Sequence, residues 1–245
     1  MSPIFSRRRL LQTGLAAPAA LTLFPLAAQA RRLRIGITLH PYYSYVSNIV
    51  GDLADVVALI PAGFNPHAYE PRAEDIKRIG GLDVVVLNGI GHDDFAERMI
   101  AASSKPKMPV IEANAQVPLL AAVGASANAG RSKDSSGQVV NPHTFLSVAA
   151  SIAQVNTIAR ELGKLDPANA EAYRTNARAY GQKLRKLRAD ALAGLAQAPG
   201  RSLRVATIHG AYDYLLREFG LEVTAVVEPA HGIEPSPAQL KATID

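Results

Sequence analysis

The sequence predicts an α/β protein: two parallel-sheet lobes joined by a long rigid helix, with the second lobe incomplete. Three observations predict it. From Arg34 to about residue 115, short apolar runs alternate with helical patterns. A helical pattern of about thirty residues follows, and after Pro199-Gly200 a strand–helix–strand pattern resumes.

Residues 1–30 stand apart. Ser6-Arg7-Arg8-Arg9-Leu10-Leu11 is followed by an apolar run from Leu15 to Ala27 and by Ala28-Gln29-Ala30. A basic start, a short apolar core and an A-x-A site form a signal peptide, and the run is short and Ala- and Pro-rich for a bilayer span. The paired arginines before two leucines fit the twin-arginine type. Residues 1–30 carry three of the 26 basic residues and none of the 21 acidic ones, so their removal leaves 23 against 21 and lowers the formal charge from +5 to +2. A nearly neutral chain without a basic, aromatic-interleaved patch argues against nucleic-acid binding. Zero cysteines excludes a disulfide framework, a Cys-based zinc site and an acylated-cysteine anchor, so an exported chain without a stable membrane anchor is expected.

In the first lobe, residues 31–145, strands are expected at Ile35–Leu39, Val56–Ile60, Asp83–Leu87 and Val110–Ile111. Helices are expected at Tyr43–Asp52, Ala73–Ile79 and Asp94–Ala102. Strands that are apolar throughout and separated by helices read as βαβ units with both sheet faces covered. Gly124–Val140 lacks apolar periodicity and reads as an exposed loop.

Residues 146–198 are the helical segment. The patterns Phe145–Leu162 and Pro167–Ala196 are helices, the second with Tyr173, Ala177, Tyr180, Leu184, Leu187, Ala191 and Leu195 at spacings of three and four. At 1.5 Å per residue it reaches about 45 Å, long enough to bridge two lobes. In residues 199–245 strand Leu203–Ile208, helix Ala211–Phe219 and strand Glu222–Val227 precede a helix starting at Ala238. Two strands are few for a sheet that buries both faces, hence the expectation of an incomplete second lobe.

Three of the six histidines share a local form. Asn65-Pro66-His67 and Asn141-Pro142-His143 repeat one tripeptide, and Ile208-His209 ends a strand. They lie 76 and 66 residues apart, too far for a helical or hairpin metal motif. Two follow a proline in a loop and one sits at a strand's C-terminal end, where open α/β sheets place ligands. Taken singly, each reads as an ordinary loop or core histidine. His40 reads as a surface or outer-sphere residue, with lining of the cleft as the alternative; His92 reads as a residue capping or preceding the next helix, with an auxiliary metal role as the alternative; His231 reads as a solvated loop residue, with an exchange or entry ligand as the alternative. Glu70 is a candidate hydrogen-bond partner of a ligand imidazole.

Gly63-Phe64-Asn65-Pro66-His67-Ala68-Tyr69-Glu70-Pro71, Asp83-Val84-Val85-Val86-Leu87-Asn88-Gly89, Asn141-Pro142-His143-Thr144-Phe145, Leu165-Asp166-Pro167-Ala168-Asn169-Ala170 and Glu234-Pro235-Ser236-Pro237 resemble the periplasmic zinc- and manganese-binding proteins of metal ABC importers. The resemblance runs from about Arg34 to the last residue. It implies two α/β lobes with a metal in the cleft between them, His67, His143 and His209 as ligands, and no enzymatic activity. It also implies a monomer that serves a cognate permease and its ATPase from the periplasm. The family's third ligand is His or Glu, and His here tilts the cargo towards Zn²⁺, with Mn²⁺ the minority expectation. The chain departs from the family twice. The usual fourth ligand, a carboxylate late in the second lobe, has no counterpart, and Ala125–Val140 contains no histidine-rich loop. Two alternatives therefore stand: an inactive fragment of such a protein, and a three-histidine zinc hydrolase or hydratase.

Overall fold

In the computed structural model, residues 31–122, 132–197, 204–228 and 233–244 are described. The expected signal peptide and His231 lie outside them. Residues 32–245 cluster as one unit.

Four strands, β1 (Leu33–Ile37), β2 (Ala54–Ala58), β3 (Val84–Leu87) and β4 (Val110–Glu112), form a parallel sheet in the order β2-β1-β3-β4. Helices α1 (His40–Val50), α2 (Ala73–Ile79) and α3 (Asp94–Ala102) connect them. The apolar strands serve two cores, as a doubly covered parallel sheet requires. On one face Ile35, Ile37, Val84 and Val86 pack with Tyr42, Val46 and Ile49 of α1. On the other, Leu82, Val85 and Leu87 pack with Ile79 of α2 and with Phe95, Met99 and Ile100 of α3.

Helix α4 (Val148–Leu165) and helix α5 (Ala170–Ala196) follow, each preceded by a 3₁₀ turn, Thr144–Leu146 and Pro167–Asn169. Val155, Ile158 and Leu162 of α4, with Tyr173 and Ala177 of α5, complete the first core. The 27 residues of α5 extend about 40 Å. Its buried residues, Tyr173, Ala177 and Gly181, all lie in its first half. Beyond them Arg188 Nε reaches Glu218 Oε1 at 2.6 Å.

Strands β5 (Val205–Thr207) and β6 (Val223–Val226) pair in parallel across α6 (Asp213–Glu218), and α7 spans Pro237–Ile244. Element types match the sequence expectation, with ends shifted by a few residues. One segment differs. The described part of Gly124–Val140 is a small antiparallel hairpin, with bridges Lys133–Val139 and Ala121–Val140. Asp134 Oδ1 accepts from the Ser136 and Gln138 amides and Gly137 turns at φ +86°, so local side-chain bonds replace the missing apolar periodicity. Ser132 and Val140 at its base are buried while its tip is exposed.

Candidate metal centre

The repeated Asn-Pro-His tripeptide builds the same turn twice. The Asn65 Oδ1 accepts from the His67 amide at 3.0 Å, and the Asn141 Oδ1 accepts from the His143 amide at 3.0 Å. Proline between them has no N–H and a fixed φ, so the first amide available to the Asn side chain is that of the histidine. Both turns lead into 3₁₀ turns. His209 follows β5, its carbonyl accepting from Thr207 Oγ1 at 3.0 Å and from the Ala211 amide at 2.8 Å.

A buried polar chain fixes the His143 turn against the first sheet. Asn88 Nδ2, at the end of β3, donates to the Pro142 carbonyl at 3.1 Å, and Asn114 Nδ2 donates to the Asn88 carbonyl at 2.9 Å. Gln154 Nε2 then joins Asn114 Oδ1 (2.7 Å) and Thr144 Oγ1 (2.8 Å). From the other side, Tyr214 of α6 donates to the Asn141 carbonyl at 3.1 Å and accepts from the Leu120 amide at 2.8 Å.

These elements bring the three histidines together. The Nε2–Nε2 separations are 3.2 Å for His67 and His143, 3.1 Å for His67 and His209, and 3.1 Å for His143 and His209. Hydrogen bonds on the far side assign two of the tautomers. Asn141 Nδ2 donates to the Gly210 carbonyl (3.0 Å) and to Asp213 Oδ2 (2.7 Å), which leaves Oδ1 as the acceptor facing His143 Nδ1 at 2.8 Å. His209 Nδ1 donates to Glu228 Oε2. In the neutral form of both rings, Nδ1 carries the proton and two Nε2 lone pairs face each other at 3.1 Å, an arrangement that a cation between them relieves. Tetrahedral Zn²⁺ with Zn–N of about 2.0–2.1 Å separates its nitrogens by about 3.3–3.4 Å. The set fits such an ion with shifts of a few tenths of an ångström.

Glu70 is exposed, and among the described residues the carboxylate bonded to a histidine is Glu228, whose only sequence signal is its place just after a strand. His40 is exposed at the start of α1. His92 is buried, 6% exposed, and belongs to the cluster: its ring lies 4.3 Å from that of His67 and 5.1 Å from that of His143, centroid to centroid. His67, His92 and His143 each offer a nitrogen, all within 4.8 Å of one another. His92 precedes α3 as expected; Asp93 holds the N-cap position, but its carboxylate bonds no α3 amide and accepts instead from Thr38 Oγ1 (2.5 Å) and from the Asn88 and Gly89 amides (2.6 and 3.3 Å). The signal for His92 was its position, in the loop leaving the C-terminal end of a central strand.

Residues 35–245 match the family model described as zinc-uptake complex component A, periplasmic. The chain belongs to this ZnuA family. The zinc-binding lipoprotein AdcA of Streptococcus pneumoniae is 31% identical over 212 residues, which are 85% of this chain and 42% of AdcA. The chain thus spans less than half the length of that relative. Among solved structures, the SBP FpvC of Pseudomonas aeruginosa in complex with Ni²⁺ is 78% identical with a TM-score of 0.78, covering 88% of this chain and 74% of that one. A ZnuA crystal structure is 28% identical with a TM-score of 0.73, covering 88% and 77%. This ZnuA-family chain has the expected α/β architecture with parallel sheets and a long helix. Among its described residues no helix is long and apolar enough to cross a membrane.

Proposed function

We propose that this chain captures Zn²⁺ in the periplasm, with Mn²⁺ the lesser cargo, and delivers it to the permease of an ABC importer whose ATPase drives uptake. His67, His143 and His209 are the ligands. They are carried by two lobes, residues 31–145 and 199–245, joined by the helical segment 146–198. The observation that carries this reading is the pair of Nε2 lone pairs of His143 and His209 facing each other at 3.1 Å, each ring oriented by an acceptor on its Nδ1. Three neutral imidazoles suit a borderline ion such as Zn²⁺ better than Mn²⁺, which favours oxygen. The relatives' names, zinc-binding AdcA and Mn²⁺- and Ni²⁺-loaded FpvC, support a divalent cargo.

The role is binding without bond-making chemistry. Three residues hold the ion, and Asn141 and Glu228 aim two of them. Calorimetric titration of the metal-free chain with Zn²⁺ and Mn²⁺, alongside His67→Ala, His143→Ala and His209→Ala, tests it. One-site zinc binding that is lost in each variant is the expected result. A folded chain that binds neither ion refutes the capture role, and ester hydrolysis or CO₂ hydration at enzymatic rates refutes the assignment as a binding protein.

A further inference from the structure

We propose that His92 is a fourth metal-ligating imidazole, so that the centre is a four-nitrogen set. The inference rests on the capture reading above and extends it to a residue outside the three-histidine set.

The loop that carries His92 is built to aim it. Gly89 (φ +78°) and Gly91 (φ +87°) adopt left-handed backbone on either side of Ile90, turning the chain back towards the site as it leaves β3. A Cβ on Gly89 would also sit 3.0 Å from the Glu112 side chain. Asp93, next in sequence, is pinned by its three hydrogen bonds to Thr38, Asn88 and Gly89, which fixes the His92 backbone on the rigid end of the sheet. The imidazole is then held among other rings. It faces His67 at an interplanar angle of 28°, and meets His143 and Phe145 edge to face.

The ring spacings suit a shared ion. An ion about 2.05 Å from a ligating nitrogen lies about 3.2 Å from the ring centroid, so two ligating imidazoles have centroids about 4.5 Å apart at a right angle and about 5.2 Å apart at the tetrahedral angle. The pairs among His67, His143 and His209 stand at 5.2, 5.0 and 4.9 Å. His92 stands at 5.1 Å from His143, inside that range, and at 4.3 Å from His67, just under the right-angle value. Its plane is nearly parallel to that of His67, so ligation by both requires the His92 ring to turn about Cβ–Cγ, a torsion with broad, shallow preferences. A fourth nitrogen weights the site further towards Zn²⁺ and Ni²⁺ and away from Mn²⁺.

The test is X-ray absorption of the Zn²⁺-loaded chain, counting imidazoles by their outer-shell scattering, together with calorimetric titration by Zn²⁺, Ni²⁺ and Mn²⁺ of the wild type and of His92→Ala and His92→Gln. Four imidazoles in the wild type and three in both variants are expected. Zn²⁺ and Ni²⁺ affinity should fall by about tenfold or more, at least what loss of an outer hydrogen-bond partner costs, and Mn²⁺ affinity should fall less. Unchanged thermal unfolding of the metal-free variants separates ligation from a folding defect. Three imidazoles in wild type and variants alike overturn the proposal, whatever the affinities, and leave the three-histidine capture site standing. A wild-type chain that binds none of the ions overturns both.

Discussion

Asn141 and His143 are bonded twice: one side-chain oxygen accepts from the histidine's amide at 3.0 Å and from its Nδ1 at 2.8 Å. The same residue's Nδ2 donates across to Gly210 and Asp213, beside His209. Asn141 therefore orients one imidazole and ties its turn to the segment that carries another.

Replacing it removes both functions. Asn141→Ala is expected to lower zinc affinity about 10- to 100-fold, the usual cost of losing an outer partner of a metal ligand. It should also destabilise the metal-free protein by about 1–3 kcal/mol, because buried donors and acceptors lose their partners. Titration calorimetry and denaturant unfolding read the two effects separately.

Glu228 acts on His209 alone. Glu228→Gln keeps the shape but exchanges a charged acceptor for a neutral amide, so the tautomer and orientation of the imidazole are less strongly fixed. Zinc affinity should fall by about tenfold or more, with little change in the unfolding midpoint of the metal-free chain. An equal loss in unfolding stability would mean that the carboxylate is a packing element rather than a support for the ligand.

Glu218 clamps three elements. Its Oε2 accepts from Ser147 Oγ (2.9 Å) and the Val148 amide (2.8 Å), its Oε1 accepts from the Ala149 amide (3.1 Å), and Arg188 of α5 completes the set. With Ser147 Oγ accepting from the Ala150 amide, three of the N–H groups that α4 cannot satisfy internally are capped, by an anion at the positive end of the helix. Glu218→Ala should cost about 2–3 kcal/mol in denaturant unfolding, since a nearly buried charged acceptor is removed from several donors. Arg188→Ala should cost less, because that side chain is 41% exposed and part of its charge stays hydrated.

Asp75 gives the fold a pH dependence. Burial opposes its ionisation. Hydrogen bonds from the Arg72 amide (2.9 Å) and Tyr69 Oη (2.8 Å), with Arg78 at 3.2 Å, outweigh this and hold its pKa below the ordinary carboxylate value. A depressed native pKa stabilises the fold above the unfolded value near about 4, and the contribution fades as pH falls through the native pKa. Asp75→Asn should therefore lower stability at pH 7 and narrow the gap from wild type below about pH 4, as read by unfolding across pH.

The sequence by itself determined what short-range physics controls. Apolar strands alternating with helical periods required a doubly covered parallel sheet, and the three-and-four spacing from Tyr173 to Leu195 required the long helix. Each Asn-Pro-His had to form the same turn, because proline leaves the histidine amide as the donor the Asn side chain can reach. Tertiary structure decided what depends on chain segments 66 and 76 residues apart. The strand ends and the Asn88–Asn114–Gln154 chain set three Nε2 atoms within 3.2 Å of one another. It also decided that Glu228, not Glu70, bonds to an imidazole, and that His92, which precedes α3 as expected, turns into the cluster. Hydrophobic periodicity repeats every two or 3.6 residues and specifies which face of an element is buried. Which side chains from different elements meet is settled only when the elements pack.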